Sequence, residues 1–396
     1  MTTVYFIRHG EAEGNLFRRI HGQYDSLITP AGHRQIAALA ERFRDVHVDA
    51  CWSSDLTRAR TTARAIYVPR NLPLHTDPRF REIGMGVWED MTFGEVHRDY
   101  GPQLQIYNQD LPNWHVPDCE PYEQFAGRFQ EGLRDVVAQN EGKTVCIVAH
   151  GGILRCAIRE LFFPDAPYSE MGQCDNTGVS RLEYDGGVWT LCYRNDNSHL
   201  PPELSTAARL AKTPASEREL WFRPVDPTEM MRYINYRRDA WQHVYGTVRG
   251  FDGNAFWRDA LKTTTGSPGA MVFAVLGTEV VGILQMNPAR GAVEGIGYIP
   301  FIYLKPAFRG RGLGIQLLGE AVSYYRRRGR TKLQLCVAPT NAHALHFYQK
   351  YGFVFSGKTR GQFGSLYLMD RDIDLARYQE DKENARSRFL RRFRHE

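Results

Sequence analysis

The stretch Val4-Tyr5-Phe6-Ile7-Arg8-His9-Gly10-Glu11 decides how the first half of this chain folds. Its first four residues are all β-branched or aromatic, so Val4–Arg8 reads as a short strand that runs directly into a histidine and a glycine. Downstream, Thr144-Val145-Cys146-Ile147-Val148-Ala149 is a second apolar strand, ending at His150-Gly151-Gly152. Between the two, Thr29-Pro30 caps and opens a helix whose Ile36, Leu39, Ala40 and Phe43 fall on one face. Strands interleaved with helices predict an α/β sandwich around a mostly parallel sheet, and ligands of such sheets sit beyond the carboxyl ends of the strands. Arg8-His9 and His150 both stand at such ends, so their pairing across adjacent strands is the natural expectation.

Two further fragments, Arg58-Ala59-Arg60-Thr61 and Arg81-Glu82, complete a set that suits phosphate chemistry. Near neutral pH a phosphomonoester carries between one and two negative charges, which repel an attacking nucleophile. Either a divalent metal or a ring of fixed cations must spread that charge. No metal-type cluster is apparent in the sequence, which instead offers Arg8, Arg58 and His150. Arginine grips phosphate oxygens through parallel hydrogen bonds. His9 is the candidate nucleophile, its attacking nitrogen kept unprotonated by the surrounding cations. Glu82 is the candidate acid for the leaving oxygen, with apolar burial by Ile83, Met85 and Trp88 expected to keep it partly protonated. Water then attacks the phosphohistidine, the same carboxylate accepting its proton.

These residues resemble the histidine phosphatase superfamily, in its phosphoglycerate-mutase-like branch, over about residues 3–200. The likeness extends to Asn15 at a phosphate-contacting offset, to Ser26–Gly32, to Ser53–Thr61, and to Asn176-Thr177, Arg181–Tyr184 and Asn197–Leu200. It implies phosphate binding by Arg8, Asn15, Arg58, His150 and Gly151. The segment Arg81–Glu89 looks like the phosphatase version of the family and lacks the Tyr-Gly loop of the mutases, which favours hydrolysis over phosphoglycerate mutation. Val87 and Asp90 depart from the commoner small residues and bear on substrate fit. A structural strand-end histidine and a non-catalytic phosphate-binding relic are the competing readings.

The bulk numbers bound the rest. With 396 residues, 42% apolar and 24% charged, the chain is long enough for two or three globular domains. No apolar run reaches the roughly 18 residues that span a bilayer, and Met1–Ile7 lacks a basic leader, so a cytoplasmic location without membrane partner is expected. Seven cysteines without CxxC spacing read as free thiols. The net charge of +5 hides an asymmetry: residues 1–200 hold 20 Lys+Arg against 27 Asp+Glu, leaving 30 against 18 for 201–396. A basic second half suits a polyphosphate-bearing ligand. Nucleic acid is disfavoured because the arginines are scattered. The sequence divides into 1–200, a linker at 201–217 with a short helix at 203–211, a second domain at 218–370, and a basic tail at 371–396.

In that second domain, Arg309-Gly310-Arg311-Gly312-Leu313-Gly314 follows a strand and opens a helix. Glycines at a helix N-terminus expose N–H groups to a diphosphate. The acidic residue of a dinucleotide fold and the Gly-Lys-Ser/Thr of a P-loop are both missing. Residues 219–370 resemble instead the GCN5-related N-acetyltransferases (GNAT), a mixed-sheet α/β fold. That resemblance implies an acetyl-CoA loop at Arg309–Gly314, a strand at Ile302, Tyr303 and Leu304 along the acetyl arm, contact from Asn341, and Tyr348 as proton donor to the thiolate. Tyr348 also fits a core aromatic. Glu294 is the candidate base for the amine, against the plainer reading of a surface glutamate. The acceptor side falls near Tyr233–Tyr245 (Arg237, Arg238, Asp239, Trp241) and Gly361–Tyr367.

The expectation is a bifunctional enzyme: a metal-independent phosphatase acting on a small phosphate ester, joined to an acetyl-CoA-dependent N-acetyltransferase acting on a small amine. An acetyl-CoA-sensing phosphatase and a protein-directed enzyme remain alternatives. Oligomeric state and both substrates stay open.

Overall fold

A computed structural model describes residues 1–362 and 364–376. The expected basic tail falls outside the described residues from 377 onward. Two compact units emerge, one built from Met1–Met91 with Val96–Pro214, the other from Ala215–Leu375 with Thr92–Glu95. No helix among the described residues is long and apolar enough to cross a membrane.

The first unit holds six strands, β1 (Thr2–Arg8), β2 (Ala50–Ser53), β3 (Leu74–Thr76), β4 (Thr144–Ala149), β5 (Val179–Asp185) and β6 (Val188–Asp196), in the order β3-β2-β4-β1-β5-β6. The first four lie parallel, while β5 and β6 are antiparallel and form the hairpin expected around Gly186 and Gly187, whose φ values of 54° and 92° suit glycine. Alternate residues of the strands serve opposite faces. Ile7, Cys51, Cys146 and Val148 pack against the helices Pro30–Arg42 and Thr57–Arg70 through Ile36, Leu39, Ala59 and Ile66. Phe6 faces the other way and meets Phe129 of the helix Tyr122–Gln139 at 5.9 Å between ring centres. The parallel register sets Arg8 opposite Ala149, so His9 and His150 emerge side by side.

The Thr29 cap forms as expected, its hydroxyl accepting the Gly32 N–H at 2.9 Å. Gly32 must be glycine for another reason: a Cβ there would stand 2.1 Å from the Glu11 carbonyl oxygen. The 201–217 segment, expected as a linker with a short helix, crosses from the first unit to the second after Pro214. Its helix spans Thr206–Ala211 and is docked within the first unit. Buried Glu11 accepts from Thr29, Thr206 and Arg209, and buried Asp175 accepts from Asn197, Ser205 and the Ala207 N–H. The polar composition that suggests a spacer supplies donors to these two carboxylates, a demand invisible without the fold.

The second unit is a seven-stranded sheet, β7 (Leu220–Pro224), β8 (Met271–Leu276), β9 (Glu279–Asn287), β10 (Ile296–Leu304), β11 (Lys332–Val337), β12 (Val354–Gly361) and β13 (Gly364–Asp372), ordered β12-β13-β11-β10-β9-β8-β7. The helices Met230–Tyr245 and Gly253–Thr264 pack on it through Tyr233, Tyr236, Trp257, Phe273, Ile283 and Phe301. Only β10 and β11 run parallel among the described strands of this sheet, and their pairing covers Ile296–Ile299 alone. Close to that point the pairing of β10 with β9 on its other edge bulges between Tyr298 and Phe301, around Pro300, which has no N–H to donate. Beyond Ile299, β10 and β11 share no pairing, and the Leu304 carbonyl accepts Arg309 Nε at 2.8 Å.

Removing Arg209 leaves the Glu11 carboxylate buried and short of a donor. Arg209→Ala should lower unfolding stability by about 1–3 kcal/mol, against about 0–1 kcal/mol for Arg44→Ala in the exposed Arg44–Glu41 pair. Urea unfolding of the full chain measures both, and equal effects would contradict the docking role.

Candidate active sites

Sequence places His9 just beyond β1, and the sheet fixes it there: its N–H donates to the Ala149 carbonyl at 2.9 Å. The ring lies almost wholly buried, with Nδ1 2.7 Å from the Gly10 carbonyl. A carbonyl only accepts, so Nδ1 carries the proton and Nε2 keeps its lone pair. The His150 ring lies 5.2 Å away, fully buried, and neither of its nitrogens has a hydrogen-bond partner. Arg58, also fully buried, donates to the carbonyls of Tyr24 at 3.0 Å and Gly22 at 2.7 Å, while its Nε remains unpartnered. Arg8 donates to the Cys174 carbonyl, its Nε likewise unpartnered. Buried polar atoms without partners are rare, and a cluster of them on cations suits an anion.

Burial first, then the Arg58 and Arg8 charges, hold the His9 ring well below the usual histidine value. His150 is pushed the same way, by burial and then Arg58. Burial also lowers Arg58, against the pull of Asp25 and Glu82. The imidazoles are thus kept neutral, as a nitrogen nucleophile requires.

Glu82 enters from a separate loop, and the helix Gly151–Phe162 anchors it. Its carboxylate accepts the N–H of Gly152 at 2.8 Å and of Ile153 at 3.1 Å. This corrects the expected surroundings: Ile83, Met85 and Trp88 are buried beneath the loop, but the half-buried Glu82 carboxylate itself rests on main-chain donors. Gly152 is needed because a Cβ there would lie 2.4 Å from Glu82 Oε1. The Gly151 N–H is left without a main-chain acceptor among the described residues, and a Cβ on Gly151 would stand 3.3 Å from Arg8 Nε. Asn15 joins the group through Asn176, whose Nδ2 lies 2.9 Å from the His9 carbonyl and 3.4 Å from Asn15 Oδ1. All seven residues expected around the phosphate therefore meet at one end of the sheet.

Other contributors carry no sequence signal of their own. His21 accepts the Gly14 N–H at 3.0 Å, with its ring 6.1 Å from His9. Arg128 clamps the Glu82 loop through the carbonyls of Arg79, Arg81 and Glu82 and pairs with Glu120. Tyr107, its hydroxyl pushed up to about 12 by burial and then Glu82, also feels Arg155 and Arg8. Asp90, singled out as a family departure, forms a buried pair with Arg19 at 3.0 Å.

In the second unit a cavity of about 1040 Å³ opens where β10 and β11 part. It is lined by Ile302, Tyr303, Leu304, Arg309, Gly310, Gly312, Gly314, Asn341 and Tyr348. Arg311 and Leu313 are not in the lining: Arg311 pairs with Glu217 at 3.2 Å, and Leu313 is buried before the helix Gly314–Arg326. Gly310 and Gly312 take φ values of 73° and 76°, which glycine adopts without strain. Asn341 Oδ1 caps the helix Ala342–Lys350, accepting the Ala344 N–H at 3.2 Å, so its amide Nδ2 is the group left for a ligand. Burial pushes the Tyr348 hydroxyl up, keeping it protonated. Glu294 stands apart, exposed in the turn before β10 and absent from the lining. It lies in the turn that precedes Ile296, where β10 starts, whereas the lining of the cavity begins on that strand at Ile299. Among the described residues no Asp or Glu lines the cavity, a feature that local motifs cannot reveal. Of the expected acceptor residues Arg237 and Trp241 line it, as does Leu366, whereas Arg238 and Asp239 do not.

Comparison with known proteins bears on the family of each half. The family model "Histidine phosphatase superfamily (branch 1)" matches residues 4–197, and that of the "Acetyltransferase (GNAT) family" matches residues 230–353. Probable phosphoglycerate mutase GpmB of Proteus mirabilis (strain HI4320) is 32% identical over 189 residues, 48% of this chain and 88% of that protein. The protein of the same name from Enterobacter sp. (strain 638) is 31% identical over 189 residues, with the same coverage. Among solved structures, Bacillus stearothermophilus YhfR is 30% identical with a TM-score of 0.48, covering 50% of this chain and 99% of its own. The chain belongs to the histidine phosphatase superfamily through its first half, and its second half carries a GNAT-family domain. It is an enzyme with one phosphatase-type and one acetyltransferase-type domain.

The depressed imidazoles have a consequence for stability. The unfolded chain protonates them near the ordinary value of about 6.5, the folded chain only well below it. Across that interval the unfolded state holds more protons, so stability falls as pH drops below about 6.5, by up to about 1.4 kcal/mol per pH unit for each ring. The melting temperature should therefore drop between about pH 6.5 and 5, and drop less in His150→Gln. Equal pH dependence in both proteins would contradict the neutral buried ring.

Proposed function

We propose that this chain is a bifunctional enzyme that hydrolyses a small phosphate ester through a phosphohistidine and transfers an acetyl group to a small amine. We assign the phosphatase to residues 1–200, the acetyltransferase to 218–370 and the junction to 201–217. The observation that carries the first activity is the His9 ring, its Nδ1–H fixed on Gly10 and its Nε2 beside buried cations whose nitrogens lack partners. In this reading Nε2 attacks phosphorus as the bond to the leaving oxygen breaks. Arg8, Arg58, His150, Asn15 and the Gly151 N–H hold the remaining oxygens. Glu82 gives the leaving oxygen its proton, then takes one from the water that attacks the phosphohistidine. The cations do the charge work, so no metal is assigned.

For the second activity, acetyl-CoA would supply an activated acyl thioester. A wide cavity at parted strands, with a glycine loop opening a helix, fits a long pantetheine arm and its diphosphate. Main-chain groups of Ile302, Tyr303 and Leu304 would align the arm, while Arg309 and the N–H groups of Gly310–Gly314 would hold the diphosphate. Asn341 would offer its amide, and Tyr348 would keep a proton at its hydroxyl for the sulfur. Glu294 is dropped as base, since it does not line the cavity. Seven free cysteines support a reducing, cytoplasmic setting.

Phosphoglycerate mutation is the second reading, favoured by the printed name of the relatives above. His9→Ala should abolish turnover of p-nitrophenyl phosphate and leave acetyl transfer intact. Tyr348→Phe should lower acetyl transfer by about 10- to 100-fold and leave the phosphatase rate unchanged. Faster conversion of 3-phosphoglycerate to its 2-isomer than to free phosphate would establish the mutase instead. Gly152→Ala, by crowding Glu82, should slow alkyl phosphates more than p-nitrophenyl phosphate, because a good leaving group needs little help from an acid.

A further inference from the structure

Resting on the acetyltransferase reading, we propose that Arg237 is the carboxylate anchor of the acceptor subsite, so that the amine acetylated here carries a carboxylate beside an aromatic or large apolar body. Arg237 projects from the helix Met230–Tyr245 into the cavity. Its guanidinium lies 3.9 Å from the Phe301 ring centre and 4.8 Å from that of Phe256. Phe301 sits at the bulge where β10 leaves β11, next to the residues assigned to the acetyl arm.

The donor inventory leaves the group unfinished. Of the five N–H donors of an arginine, Nε bonds the Tyr233 hydroxyl at 3.0 Å and Nη2 bonds Gln285 Oε1 at 3.0 Å. Both partners are neutral and buried, and Gln285 is held in turn by the Tyr233 hydroxyl at 2.9 Å. Three donors remain, and Arg237 makes no ion pair among the described residues. Aromatic rings on its faces strip water from the cation, which strengthens its attraction for an anion at its edge.

Charge and shape narrow the ligand. Of the other basic side chains of the lining, Arg309, Lys350, His343 and His346 belong to the glycine loop and the Asn341 helix, where the polyphosphate cofactor is assigned, and His243 shares the helix of Arg237. On the acceptor side Arg237 is the single guanidinium, with the His243 imidazole as the other basic group, and one fixed positive charge suits a carboxylate better than a phosphate dianion. Trp241, Tyr245 and Phe256 add an aromatic wall for an apolar body. A polyamine fits badly, because no carboxylate lines the cavity to receive its second ammonium.

The probes are L-phenylalanine, its decarboxylated twin phenethylamine, and O-phosphoethanolamine, each assayed for acetylation by the full-length protein after acetyl-CoA binding is verified calorimetrically. In the wild type, kcat/KM for L-phenylalanine should exceed that for phenethylamine by about 30-fold, chiefly through KM. The ratio should collapse toward unity in Arg237→Gln and recover in part in Arg237→Lys. Circular dichroism and the phosphatase rate show whether the variants stay folded. Should turnover be too slow to measure, calorimetry on the CoA-saturated protein reads the same ranking. A protein that binds acetyl-CoA yet prefers phenethylamine or O-phosphoethanolamine, or keeps its ranking in Arg237→Gln, overturns this inference alone. One that does not bind acetyl-CoA overturns the acetyltransferase reading and takes the inference with it.

Discussion

The parallel ladder between β1 and β4 is the constraint on which the first half depends. Pairing Arg8 with Ala149 delivers two histidines to one edge of the sheet and hands the His9 N–H to a carbonyl of the neighbouring strand. Everything that makes the pocket suited to an anion is then a consequence of position. Arg58 arrives on the helix after β2, and the helix that starts at Gly151 presents its N-terminal dipole to the same place.

That helix terminus divides its donors. Gly152 and Ile153 spend their N–H groups on Glu82, which keeps a loop carboxylate within reach of the site, while the Gly151 N–H stays clear. The same helix end thus holds the carboxylate proposed as the acid and, in that reading, keeps one donor for the phosphate. The arrangement also explains the pair of glycines after His150: each occupies a spot where a side chain would press on Glu82 or Arg8. Keeping two imidazoles and a guanidinium out of water, with nitrogens unpaired, is destabilising in itself, and function accounts for its persistence.

In the second half the equivalent constraint is a ladder that fails. β10 pairs with β11 no further than Ile299, near where its pairing with β9 bulges around Pro300, and the cavity opens beside the parted strands. The two halves therefore gain their sites by opposite means, one from a completed strand pair and one from an interrupted pair. Both leave backbone groups where a charged or polar ligand needs them.

Sequence by itself determined the strands ending at Arg8 and Ala149, the Thr29 cap, the β5–β6 hairpin, the glycine loop and both families, because those features are local and repeat fixed chemistry at fixed spacing. It also named the residues that meet around His9, since each lies beside a recognisable motif. Only the tertiary structure decided what surrounds them. Arg128 behind the Glu82 loop, His21 beside His9, and Arg209 on Glu11 act across long separations, through contacts that no local pattern encodes. Glu294 failed as a base for the same reason: proximity to β10 in sequence says nothing about which end of the strand borders the cavity. Hydrogen-bond demand and charge pairing are properties of a closed surface, and a linear chain has no such surface until it folds.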